Sequence, residues 1–486
     1  MNVTPRRPLF NRRPESNIYR MFLWAALILA ALWMIRGVDV GAIKPVGQPT
    51  LTPTRAARSY TAEGDAQFTT GNLDAAIKAY RLALTVDPNN AEVWAKMARI
   101  QVYSSALKTT DQDKRNALTD ALNSINKAKE LAPDDSLVAA IRAFVLDWNA
   151  NPVLNPDKVS SYLVEAEQES NRALLLDPTN ALALAFYAEI LIDQQKLNQA
   201  EQYMSQALEQ GQDLMDVHRV YASLLESNGQ YSKAIEEYAR AIQITPNMTF
   251  LYLRAGANYR QLAFLSPIKE QRKALYIKSL EYFDMAAKIN EQLGVQDPTP
   301  YLSIAKTYSQ MGEFFAAGRN VQKALKFKPN DADIFGQLGI VYRSSRNYEG
   351  SILVFKCAIR GCTGDESCEA RFGRACKPEF GEVGVDVQGL PLSQSSVVYY
   401  YAYASVLAAL SRPQDNKCPE AREIFQEVRA KFSDDSLIMQ IIAEGETICQ
   451  NIGRPRIPET PTPFGTPPEP DSMTPAPADL TATPSP

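Results

Sequence analysis

The sequence predicts an all-α fold: a right-handed α-solenoid of tandem helix-turn-helix units with one N-terminal transmembrane helix. Three observations predict it. Leu214 to Pro246 reads as two short amphipathic helices around an Asn228-Gly229 turn. The same pattern of apolar, small and turn residues returns along most of the chain. One wholly apolar run, Met21 to Ile35, precedes all of these units.

In the organising unit, His218, Tyr221, Ala222 and Leu225 recur at helical spacing on the first helix. Ala234, Tyr238 and Ala241 recur on the second, and Pro246 stops it. Ala222 and Ala241 sit where the two helices approach most closely, so a larger side chain would push them apart. A pair this short cannot bury its apolar faces alone and needs neighbours.

Earlier copies use Tyr60, Gly64, Gly71, Ala76, Tyr80, Ala83 and Pro88, then Trp94, Ala98, Ala121, Ala128 and Pro133. A third has Ala166, Ala173 and Pro178, and a fourth has Leu184, Ala188, Ala200 and Ala207. After the unit that holds His218, a sixth has Tyr252, Gly256, Tyr259, Phe283 and Ala286, with extra residues between its helices. Tyr301, Ala305, Tyr308, Gly312, Ala317, Ala324 and Pro329 make a seventh; Phe335, Leu338, Gly339, Tyr342, Phe355 and Ala358 an eighth. A degenerate ninth uses Tyr400, Ala404, Leu407, Ala421 and Phe425, and residues 436–452 read as a capping helix.

This pattern resembles the tetratricopeptide repeat, a helix-turn-helix unit of about 34 residues. The resemblance covers roughly 57–452, as about eight to nine units. It implies a protein-interaction module whose first helices line a concave groove. Candidate groove residues beside the packing positions are Arg219, Arg260, Lys306 and Arg343. As a basic stripe they would suit an acidic or extended peptide; as solvated surface charges they would do nothing. Family members that clamp a terminal carboxylate use a lysine and asparagine set that cannot be assembled here. Residues 104–118 and 149–158 read as polar loops on one edge.

The N-terminal segment sets the topology. Arg6, Arg7, Arg12, Arg13 and Arg20 oppose one acid, Glu15, so residues 1–20 are expected in the cytoplasm and the repeats outside. The fifteen apolar residues make a helix of about 22 Å against a hydrocarbon layer of about 30 Å. Snorkelling arginines and an extension to Ile43 make up the difference, giving a signal anchor over 21–43. Val40 and Ala42 also offer a site for signal-peptide cleavage, with Arg36 and Asp39 awkwardly placed before it. Residues 44–56 are a linker.

All six cysteines fall late: Cys357, Cys362, Cys368, Cys376, Cys418 and Cys449. No C-x2-C knuckle points to zinc. An even number beside a Gly-containing loop suits disulfides in an oxidising compartment, in line with the arginine topology. They are expected to staple the loop 360–395 and to tie the ninth unit to its cap through Cys418 and Cys449. From 453 to 486 there are 11 prolines in 34 residues, too little apolar surface to fold.

Net charge is only −4, so nothing global points to nucleic acid, and a single histidine argues against histidine-based chemistry. His218 is read as a packing residue. No phosphate loop, nucleophile elbow or H-E-x-x-H motif is present. The expectation is a non-enzymatic adaptor, without cofactor or metal, holding a protein or peptide at the outer face of a membrane. The alternative is a structural spacer of the cell envelope.

Overall fold

The protein's structure, a computed structural model, describes residues 17–39 and 55–452. The first sixteen residues, most of the linker and the proline-rich tail lie outside the described residues. The chain divides into two units, residues 1–56 and 57–486.

Among its described residues the first unit contains one helix, α1 (Ile18–Asp39). Within it Ile18–Arg36, 19 residues of mean hydropathy 1.9, is long and apolar enough to cross a membrane, and none of it is buried. It begins earlier than the apolar run alone suggests.

The second unit is a stack of helix pairs. The first repeat is α2 (Ala57–Thr69) with α3 (Leu73–Val86), the second α4 (Ala91–Ser105) with α5 (Asp111–Leu131), and the third α6 (Ser136–Asn149) with α7 (Val159–Leu176). The fourth is α8 (Ala181–Asp193) with α9 (Leu197–Gln210), and the fifth α10 (Met215–Ser227) with α11 (Tyr231–Ile244). The sixth is α12 (Thr249–Leu265) with α13 (Lys269–Gln292), the seventh α14 (Thr299–Gln310) with α15 (Phe314–Phe327), and the eighth α16 (Ala332–Ser344) with α17 (Tyr348–Ile359). A short α18 (Gly364–Phe372) follows. The ninth repeat is α19 (Val397–Leu410) with α20 (Cys418–Phe432), closed by α21 (Ser436–Gln450).

Sequence chemistry sets these boundaries. Asn72, Asn90, Thr110, Asp135, Asn180, Asp331 and Asp435 each accept a backbone N–H of the first turn they cap. Small residues let the helices close on aromatic neighbours. A Cβ added at Gly339 would lie 2.6 Å from the Phe355 ring, and one at Gly64 would lie 2.6 Å from Tyr80. Burying each of those rings is worth about 1.5–3 kcal/mol.

Two expected loops are helical instead. Residues 111–118 form the first turns of α5, because Thr110 caps them and Asp111 and Asp113 complement the helix dipole. The extra residues of the sixth repeat lengthen both of its helices and leave only 266–268 between them. Residues 150–158 are irregular, as expected. The loop 360–395 holds α18, started by a Thr363–Glu366 capping box, and an antiparallel bridge between Cys362 and Val387. Disulfides join Cys357 to Cys362, Cys368 to Cys376, and Cys418 to Cys449. The last joins the start of α20 to the end of α21.

The two largest apolar cores do not merge. One runs from Leu73 to Ala255, and the other from Ala305 to Cys449. The chain between them, at the end of α13, turns through Gly294 at φ 69°.

Candidate functional site

The first helices of a repeat stack carry the inner face, and here that face has two regimes. In repeats two to five it is closed by the protein's own side chains. α6 is buried from Val138 through Asn149 and α8 from Ala181 through Ile192, so neither has a polar side to offer a ligand. Tyr103 of α4 stacks between Phe68 of α2 and Phe250 of α12, at 6.3 and 5.6 Å between ring centroids. The turn at Gly71 meets the turn before α12 so tightly that a Cβ there would lie 2.7 Å from Asn247. With φ at +76°, Gly71 is doubly suited to glycine. The first repeat therefore touches the sixth.

Most charges inside this closure are paired. Arg219 donates to both carboxylate oxygens of Glu189, at 2.6 and 2.5 Å, and its guanidinium lies 5.6 Å from the Tyr103 ring and 5.7 Å from Phe144. Arg99 and the Tyr103 hydroxyl both donate to Asp216, which is fully buried in the first turn of α10. Asp193 keeps contact with solvent but is surrounded by protein; burial, then the Glu189 charge, pushes its pKa up to about 7. Burial, then Asp193 and Glu189, pushes Asp147 up as well.

This corrects two of the expected groove residues. Arg219 is not on an open surface: it is 3 % exposed and sits in a carboxylate clamp between aromatic rings. Arg260 is half-buried, with its guanidinium over Phe283 at 5.4 Å, and it donates to the Ser303 carbonyl of α14 at 3.2 Å. Lys306 of α14 and Arg343 of α16 are exposed. Arg343 lies close enough to Tyr401 of α19 to oppose the effect of burial, which raises the Tyr401 pKa. So the structure splits the predicted stripe. Two members lie over aromatic rings, and two are exposed on the first helices of repeats seven and eight, Arg343 of these near Tyr401 of repeat nine. The signal that foretold this was in the chain: LVAAIRAFVLDW and ALALAFYAEILI have almost no polar side.

On another side, the lengthened α5 borders a groove of about 640 Å³ over α3 and α4. Trp94, Met97 and Leu84 line it, and the buried side-chain carbonyl of Gln101 has no partner there. Arg81 and Asp120 on its rim already face each other at 4.0 Å.

His218 is buried, 5 % exposed, as a packing residue should be, but it is also bonded at both ring nitrogens. Nδ1 meets Glu237 Oε2 at 2.7 Å and Nε2 meets the Gln212 carbonyl at 2.8 Å. Both partners are acceptors, so only the doubly protonated ring satisfies both. Burial works against that charge. The Glu237 and Gln212 bonds outweigh it, against a smaller opposing effect of Arg240, and hold the pKa above its ordinary 6.5. A raised folded-state pKa stabilises below the unfolded value and is lost as pH rises through the folded one. Asp193 and Asp147 push in the same direction, so the readout is the difference between wild type and His218→Gln. That difference is expected to be about 1.5–3 kcal/mol at pH 6 and to shrink in alkaline buffer. Urea unfolding at several pH values measures it; a difference independent of pH would show that the ring is neutral.

Comparison with known proteins gives two matches to repeat models. A TPR repeat model matches residues 64–103 and a tetratricopeptide repeat model matches residues 187–249. The human antiviral innate immune response effector IFIT1 is 27 % identical over 203 residues, 40 % of this chain and 41 % of its own length. The chain thus spans less than half of that relative. Among solved structures, a human IFIT1 dimer with PPP-AAAA is 14 % identical with a TM-score of 0.48, over 82 % of this chain and 91 % of that one. A thermophilic TPR protein of Thermus thermophilus is 20 % identical with a TM-score of 0.34, over 42 % of this chain and 98 % of that one.

Proposed function

We propose that this chain, whose solenoid carries tetratricopeptide repeats, is a non-enzymatic adaptor that α1 holds at the outer face of a membrane. It binds a protein segment on the inner face of repeats seven to nine. The observation that carries the reading is the exposure of Lys306 and Arg343 on successive first helices, with Tyr401 beside Arg343. Two cations and an aromatic on rigid helices suit an extended, acidic segment. The three disulfides and the arginine-rich start support an oxidising, extracytoplasmic site. A cleaved signal sequence would have the same apolar helix, and sequencing the N-terminus of the mature protein separates the two.

A polyanion is a poor fit to the inner face of repeats two to six. Four arginines there are already committed to carboxylates: Arg99 to Asp216, Arg142 to Glu165 and Glu169, Arg219 to Glu189 and Arg254 to Glu226. The spacer reading draws on the closure of repeats two to five, which leaves their inner face no groove. Reversing Lys306 and Arg343 together to glutamate decides between the two. In-cell crosslinking followed by mass spectrometry is expected to lose a specific partner about tenfold or more, since like charges face each other across the interface. An unchanged set of crosslinks would leave the spacer.

A further inference from the structure

We propose that the tip of the sixth repeat is a second membrane contact, docking on a bilayer surface that carries anionic phospholipid. The corresponding turns of the first, fifth, seventh and eighth repeats are mostly polar: Thr69-Thr70-Gly71-Asn72, Ser227-Asn228-Gly229-Gln230, Gln310-Met311-Gly312-Glu313 and Ser344-Ser345-Arg346-Asn347. The sixth reads Phe264-Leu265-Ser266-Pro267-Ile268. It also stands at the end of the longest pair, 17 residues of α12 and 24 of α13, where the seventh repeat has 12 and 14.

The turn is built inside out. Ser266 is buried, its carbonyl accepts from Arg272 Nε at 3.0 Å, and its hydroxyl donates to Gln271 at 3.2 Å. The polar groups brace the turn from within, while Phe264, Leu265 and Ile268 are 47, 57 and 56 % exposed. Water gains nothing from three large apolar side chains held out on a rigid point. Lys269 and Lys273 on the first turns of α13 are exposed beside them, against one acid, Glu270. Apolar side chains flanked by lysines are the chemistry of the boundary between headgroups and acyl chains, where the former enter and the latter stay with the phosphates. A protein partner would also accept the apolar groups. What favours lipid is the net positive rim together with a helix in the same chain apolar enough to bring a bilayer near. The inference rests on the membrane part of the proposed function.

The test uses the full-length chain in vesicles of phosphatidylcholine with about one-third phosphatidylglycerol. All six native cysteines are in disulfides, so a single added cysteine takes a bimane label. Labels go at Leu265→Cys, at Asn330→Cys as a control in the exposed turn between α15 and α16, and at Leu29→Cys in α1. Nitroxide-bearing lipids are then used as quenchers. Quenching at 265 is expected to exceed that at 330 by at least about threefold, stronger for shallow nitroxides than deep ones, at a depth of about 5–10 Å. It should fall to the control level in Lys269→Glu/Lys273→Glu. Quenching at 265 no greater than at 330 overturns the proposal. So does a label unaffected by lipid that becomes shielded from iodide only on adding solubilised membrane proteins, which assigns the tip to a protein. The label at 29 reports separately on the anchor, so failure of the tip and failure of the span are told apart.

Discussion

Arg219→Met is expected to destabilise the repeat unit by about 3–5 kcal/mol, because it leaves Glu189 charged, buried and unpaired. Both side chains are 4 % exposed, and Arg219 also separates the Tyr103 and Phe144 rings from that carboxylate. The same physics gives an internal control. Arg219→Met/Glu189→Leu removes both charges and is expected to recover most of the loss, since apolar replacement of a buried pair is close to neutral. Guanidinium unfolding followed by circular dichroism measures both. If the single variant stayed within about 1 kcal/mol of wild type, Arg219 would have to be solvated, and the open groove of the sequence reading would return.

Removing the disulfide at the other end, by Cys418→Ala/Cys449→Ala, is expected to lower the stability of the ninth repeat and its cap by about 3–4 kcal/mol. The bond closes a segment with a sequence separation of 31, and the chain-entropy estimate for such a loop is of that size. Location is the sharper part of this expectation. α21 packs on α19 and α20, with Gly445 close against Phe425, and nothing follows it in the described stack. Hydrogen exchange should therefore show α20 and α21 losing protection while α4 to α10 keep theirs. Uniform loss along the chain would mean that the end does not fray independently.

Much of the fold was legible because tetratricopeptide-type pairs are local. Tyr80 against Gly64 and Phe355 against Gly339 are contacts within one unit, and their spacing stands in the sequence. Many helix ends were legible from a cap or a proline, but 111–118 was misread although Thr110 caps it, because its polar sequence shows little apolar periodicity. The setting of Arg219 was misread for a different reason. Arg219 sits at a position that faces inward in its own repeat. Whether inward means solvent or core depends on how tightly the stack curves, which is a sum of small rotations over several repeats. No local motif encodes that sum. The uninterrupted apolar run of α8 does, indirectly, since a helix with a wet inner face keeps some polar residues there.

The contact of Arg99 with Asp216 spans 117 residues, and this has a consequence for how the chain comes to be. An open array can fold behind the ribosome or translocon one repeat at a time, each docking on the last. Here Arg99, Tyr103 and Gly71 emerge long before the α10 carboxylate and the Asn247 turn that complete their surroundings. The first four repeats must wait with an unmatched interior until the fifth and the start of the sixth arrive. Closure then locks them into one cooperative block, while the last three repeats, on their own core, remain free to form afterwards.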